Sequence, residues 1–438
     1  MTRRIKLIVT LMILITALFV IKETFWGTHQ KSFFMDQETD SSTVNYTESE
    51  QKAIVYSYGS SDHGGSVKRT LELFQESNPD IKVKLQQLPG TSDSQYNAYQ
   101  IALSSGDDSF DVFHADVIWT AQFAFSDWIL PLDQFFPPSM HMKFLPNTIE
   151  SCMYNGKIYA VPNVADVPLL FYRKDIVEKP PKTYAELMTL ARKNLSAPGI
   201  KYGFIFQAST YEGLVCNVLD FIWNNGGKVL ENNKVVINSP EAIEGLQLFI
   251  DIIHSDISSP DVLSFQEDDS TVAFQDGSAI FMRNWPYAYK QSNTDHSKIK
   301  GKVGIAPLPL GPKGKSHHGT LGGWNYMINR HSKDPALAWE FVEWMSSYEA
   351  QVVNSTYGGK LPTRKAVYKN PTIQKLKPWL GGFQNIYEAA QPRPVSPYYA
   401  SVSESMQTNF SKAIIGKIDA KTAIENIERD MNTLLSIH

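Results

Sequence analysis

Cysteine is scarce in this 438-residue chain: there are two, Cys152 and Cys216. They stand far apart, and neither has a second Cys or a His at metal-ligand spacing, which argues against a zinc site. Two buried thiols and a single disulfide both stay open for them. Charge of one sign is missing too. Lys plus Arg number 41 against 45 Asp plus Glu, a net charge of −4. With no basic run beyond Arg3 and Arg4, the chain carries no footprint for nucleic acid. No nucleophile elbow, phosphate-binding loop, dinucleotide fingerprint or zinc-protease helix occurs, so no cofactor is expected. Internal repeats and low-complexity tracts are likewise lacking.

Long apolar runs are absent with one exception. Arg3, Arg4 and Lys6 precede an apolar stretch from Leu7 to Ile21, the basic-then-apolar order of an export signal or signal-anchor. It is shorter than the about 20 residues of a full membrane span, and it contains no Cys to carry a lipid. Residues 1–26 therefore read as a signal sequence or membrane anchor, with cleavage and retention both open. Residues 27–50, polar and without periodicity, read as a flexible tether. Both assignments put the rest of the chain outside the cytoplasm, at the outer face of the cell membrane.

The length allows two substantial domains. From Ala53 the pattern is β-α-β: an apolar run to Tyr58, helical spacing over Val67, Leu71 and Phe74, and alternation from Ile81 to Leu88. A helix over about 95–103 and a strand from Phe110 to Ala115 follow. Strands separated by helices imply a parallel sheet, whose ligand groups sit at the carboxyl ends of its strands. Asp116 stands directly there, and a helix N-cap is its other, compatible role. Lys157–Pro162 and Leu169–Tyr172 read as two short strands joined by a polar bend that holds Asp166. Further helices are expected over Tyr184–Lys193, Glu241–Ile253, Ser270–Phe274, Lys333–Ser347 and Ala420–Leu435, and strands over Ala279–Arg283 and Val303–Ala306. Aromatic residues make up 12% of the chain, enough to furnish both a core and a ligand surface.

Five stretches carry a family resemblance: Tyr211–Cys216 (YEGLVC), Arg283–Tyr289 (RNWPYAY), Leu321–Trp324 (LGGW), Ala336–Val342 (ALAWEFV) and Pro392–Tyr399 (PRPVSPYY). In this order they resemble the extracellular sugar-binding proteins of ABC importers, in particular the trehalose/maltose-binding proteins. The resemblance implies an α/β, two-lobed periplasmic-binding-protein-like fold of type II, its lobes joined by a multi-segment hinge. It places 51–166 and 308–355 in lobe 1 and 167–307 and 356–438 in lobe 2. It also implies a monomer that performs no catalysis, with an oligosaccharide ligand and the permease subunits of a transporter as partners.

By the same resemblance the ligand contacts map onto Asp116, Asp166, Trp285, Tyr287, Gly323, Trp324 and Arg393. The set suits a sugar, with carboxylates and a guanidinium for hydroxyls, flat rings for C–H faces, and a glycine for close backbone approach. Each has a plainer role: Trp285 and Tyr287 as core aromatics, Trp324 as a cap on a core, and Arg393 as the partner of a nearby carboxylate. Tyr211, Glu212, Tyr326 and Trp119 read as structural. Two departures stand out. The loop Ser92–Asn97 lacks the arginine that the family places there, leaving Asp62 and His63 as polar groups in the loop before it, and bulk follows Asp166 at Val167 and Pro168. Two other functions fit such a cleft: a sensory binding module, and a glycosidase using Asp116 and Asp166, which needs two carboxylates about 5–10 Å apart.

Overall fold

The computed structural model describes residues 52–59, 62–232 and 234–435. The expected signal or anchor and the tether lie outside the described residues. Strand β1 (Lys52–Tyr58), helix α1 (Ser66–Ser77), β2 (Ile81–Gln87), α2 (Ser92–Ser104) and β3 (Val112–Asp116) open the fold as the alternation predicts. Next come β4 (Val161–Asp166), β5 (Leu169–Arg173), α3 (Tyr184–Asn194), β6 (Tyr202–Ile205), α4 (Glu212–Asn224), α5 (Pro240–Ile253), α6 (Glu267–Gln275), β7 (Ala279–Asn284) and β8 (Val303–Ala306). The chain finishes with β9 (Gly322–Ile328), α7 (Pro335–Met345), α8 (Tyr348–Gly358), α9 (Tyr399–Ile414) and α10 (Ala420–Leu435). Helix starts follow local chemistry. Ser239 caps α5 with Pro240 in its first turn, and Asp334 caps α7 by accepting from the Leu337 amide.

These elements build two sheets. The first has the order β2-β1-β3-β9-β4 and the second β8-β5-β7-β6. The first is mixed rather than all parallel: β1 runs parallel to β2 and β3, but β9 is antiparallel to β3 and β4. The cause is the route of the chain. It leaves the first sheet through the end of β4, builds the second sheet, and comes back through the start of β9, so β9 needs no helical crossover.

Asp166 accordingly sits elsewhere than expected. It is the last residue of β4, not part of a bend between paired strands, because β4 and β5 belong to different sheets. Every residue of β4 is buried, so the alternation that marks a half-exposed strand is missing from its sequence.

Each sheet has its own hydrophobic core. One joins Ile54, Phe74, Phe113 and Ile158 to Met327, Phe341 and Met345; the other joins Leu169, Phe204, Leu219, Phe249 and Phe281 to Val402, Phe410 and Ile427. Two α/β lobes result. Contacts shift one boundary: segment 308–321, expected with the first lobe, packs on the second. Leu308 and Leu321 lie in the second core, the Leu310 amide donates to the Lys182 carbonyl, and the Thr320 amide donates to Asp220 Oδ1 at 2.7 Å. The return begins at Gly322. Cys152 and Cys216 are both free and buried, Cys152 in the first core and Cys216 on α4. Among the described residues, no helix is long and apolar enough to cross a membrane.

Candidate functional site

The ends of β3, β4 and β9 face α4, α6 and the segment after β7 across a cavity of about 340 Å³. All seven residues singled out from the sequence line it: Asp116, Asp166, Trp285, Tyr287, Gly323, Trp324 and Arg393. The strand register explains the first-lobe side. Trp324 pairs with Asp116 on one neighbour and Val164 on the other, while Gly322 pairs with Asp166.

The two tryptophans are each backed on one face. Trp324 stacks on His114 with ring centroids 4.6 Å apart and planes 8° from parallel, and it meets Trp119 edge-on. Trp285 lies over the Arg283 guanidinium at 4.5 Å, and its Nε1 donates to Glu267 Oε1 at 3.3 Å. Arg283 is itself fixed: its Nε and Nη2 donate to Asp220 Oδ2, and its Nη1 donates to Gln207. Tyr287 is half-buried, and burial together with Glu267 holds its phenol well above the ordinary range. Each tryptophan thus combines packing on one side with a place in the cavity wall.

Two glycines permit this packing. Gly323 has φ +133°, and a Cβ there would collide with the Val164 carbonyl oxygen. The close approach it allows is to β4, inside its own sheet. At Gly322 a Cβ would lie 2.8 Å from the Trp285 ring, so this glycine makes room for the second lobe's tryptophan.

Arg393 spans the cleft. Its Nη2 donates to Asp116 Oδ1 at 3.0 Å and its Nη1 to Glu212 Oε1 at 2.8 Å, all three groups being buried. The expected pairing with a carboxylate is therefore double, while Nε has no partner among the described residues. Burial opposes the charge, but Asp116 and Glu212 hold the guanidinium firmly protonated. Glu212 also accepts from Tyr399 and Ser403. Asp116 Oδ1 accepts from the Ile118 amide as well, so Asp116 is both helix cap and cavity residue.

Asp166 is different. It is buried, and its Oδ1 has no partner among the described residues. Burial pushes its carboxyl up from 3.8 to about 8, against the pull of Lys360 and with help from Asp116.

The stretch without arginine, expected as a loop, forms the first turns of α2 and carries another function. Asp93 Oδ2 accepts from the Glu212 amide at 3.0 Å, at the first turn of α4 in the other lobe, and Gln407 donates to Oδ1 at 3.4 Å. Asp62 turns from the cleft to the start of α1, accepting from the Val67 and Lys68 amides. Val167 and Pro168 form the passage between sheets, packed against Gly319. Tyr326 and Trp119 are core residues, as expected, whereas Tyr211 and Glu212 also line the cavity.

Among the cavity residues that escaped the sequence reading are His114, Glu267 and Lys360. Glu267 accepts from Tyr211 OH at 2.8 Å in addition to Trp285, and Lys360 Nζ donates to Tyr58 OH at 2.8 Å. Glu267 opens an acidic run, Glu267-Asp268-Asp269, that by itself reads as a helix start. A histidine inside the apolar run Val112–Ala115 was the one signal open to notice.

Comparisons with known proteins bear on the family and the fold. A family model described as bacterial extracellular solute-binding protein matches residues 60–352. A probable ABC transporter-binding protein of Deinococcus radiodurans is 32% identical, over 78% of this chain and 83% of the relative. A maltotriose-binding protein of Pyrococcus abyssi is 26% identical, over 75% and 70%. Among solved structures, maltose-bound MalE3 of T. maritima superposes with a TM-score of 0.84 at 38% identity, covering 87% of this chain and 99% of that one. The GacH receptor of Streptomyces glaucescens, solved unliganded and with acarbose, shares the fold with a TM-score of 0.80 at 24% identity, covering 88% and 99%.

Proposed function

Since this chain belongs to the bacterial extracellular solute-binding protein family, we propose that it captures a disaccharide or oligosaccharide of the maltose or trehalose kind and delivers it to the permease of an ABC importer. One observation carries this reading. Two half-buried tryptophans, one from each lobe, line a single cavity with the carboxyl groups of Asp116, Asp166 and Glu267. A sugar presents apolar C–H faces to such rings and hydroxyls to such oxygens. Asp166 Oδ1, without a partner among the described residues, is left to bond a ligand hydroxyl. Binding draws the lobes together only through contacts that the separated lobes lack.

The reading is of binding without chemistry. The glycosidase alternative loses support because Asp116 spends its oxygens on Arg393, Ile118 and Ser92, leaving it poorly placed to act as nucleophile or base. Residues 1–26 would export the protein or hold it at the outer face of the membrane, with 27–50 as its tether, and the protein would work as a monomer. Calorimetric titration with maltose, trehalose, sucrose and maltotriose tests the proposal. Micromolar or tighter binding of at least one sugar, with a change in tryptophan fluorescence, is expected. Silence across the panel would overturn the ligand class.

A further inference from the structure

His114 lies in the middle of β3 and is 1% exposed, yet neither ring nitrogen has a partner among the described residues. Its sequence neighbours Val112, Phe113 and Ala115 are wholly buried and apolar. Packing alone does not call for a histidine here. A phenylalanine would also stack beneath Trp324 and beside Tyr58, whose ring lies 4.9 Å away, with no polar atoms to desolvate. The imidazole nevertheless forms part of the cavity wall.

Its charge state suits one kind of guest. Burial, reinforced by the nearby Lys360 ammonium, depresses the imidazole far below its ordinary range, so the ring is neutral. A neutral imidazole has one donor and one acceptor, the pair that a hydroxyl matches. On the same wall Asp166 Oδ1 is likewise without a partner among the described residues; Asp166 pairs with Gly322 of β9, four residues before Tyr326, the partner of His114. Trp324 projects from the strand between them.

We propose that His114 is a specificity-determining residue, reading one ligand hydroxyl at the deep end of the first-lobe wall beside the Trp324 plate. This rests on the sugar-binding reading and adds to it the residue that discriminates among hydroxyl patterns. A residue kept for function at a cost in packing should show opposite signs in stability and affinity when made apolar.

The test is His114→Phe in the full chain, followed by thermal melting and by titration with the sugar that the unaltered protein binds and with its monodeoxy analogues. The variant is expected to melt at or above the parent temperature and to bind the sugar about tenfold more weakly or worse, as loss of a buried hydrogen bond implies. The difference should vanish for the one analogue lacking the hydroxyl that is read. Equal affinity of both proteins for the intact sugar would overturn the proposal, as would a loss of the same size for every analogue. His114→Leu serves as a second variant, and failure of both to fold would also count against it. A parent protein that binds no sugar would instead remove the reading on which this one depends.

Discussion

The two walls of the cleft present the same ring in different settings. Trp324 rests on a neutral imidazole within an aromatic group that includes Trp119 and Tyr58, while Trp285 rests on a permanently charged guanidinium. The second wall is held by charge. Arg283 and Asp220 are each 2% exposed or less, and Asp220 takes four donors, two from Arg283 and two from Thr320. The first wall is held by packing and leaves polar atoms over. The difference teaches which wall is scaffold and which is reader: the buried Arg283–Asp220 pair fixes a ring in place, and the unspent hydrogen-bonding capacity of His114 and Asp166 waits for a guest.

Breaking the charged support should have the largest effect. Asp220→Ala would leave Arg283 buried and unpaired, and about 3–5 kcal/mol of folding stability should be lost, measured by urea denaturation. A loss below 1 kcal/mol would show that the second wall does not depend on that pair. Next come the rings themselves. Trp324→Ala and Trp285→Ala should each weaken sugar binding by about 2 kcal/mol or more in calorimetry. Near-normal binding by either variant would remove that wall from the site.

Asp166 sharpens the contrast through pH. Its carboxyl titrates at about 8 in the folded chain against 3.8 ordinarily. The folded state therefore holds a proton that the unfolded chain releases, and stability falls as pH rises from about 4 to about 8. Asp166→Asn, which cannot ionise, should gain on the parent protein across that window, by about 1–2 kcal/mol at pH 8, while losing affinity. Parallel stability curves for the two proteins would refute the shift. The smallest effect belongs to Asp93→Ala. It removes the acceptor that one lobe lends to the first turn of α4 in the other, at a cost of about 0.5–1 kcal/mol. Small-angle scattering of the ligand-free variant should report a larger radius than the parent; an unchanged radius would mean that the contact does not hold the lobes together.

Much of this was legible in the sequence. Val303–Ala306 and Ala420–Leu435 have the bounds expected of them, because turn residues or a full amphipathic stripe mark their ends. Five of the seven cavity residues, Trp285, Tyr287, Gly323, Trp324 and Arg393, lie in local motifs that the sequence displays, while Asp116 and Asp166 stand at strand ends outside them. What stayed hidden was non-local. The pairing of β9 between β3 and β4 joins residues some 160 to 210 positions apart, and no local pattern announces it. β4 is buried on both faces, so its alternation was silent. Arg393 shows its neighbours in sequence but not the two carboxylates that hold it. Glu267 and Lys360 gain meaning only when other segments arrive beside them.

One consequence follows from the bare α-carbon at Gly322. A single methyl group there would meet the Trp285 ring at 2.8 Å, wedging the jaw at its root. The depth of the bite is set by an atom that is missing. A one-residue change at this position would therefore widen the gape and shift preference toward bulkier guests, with both tryptophans and the cavity's carboxyl groups left unaltered.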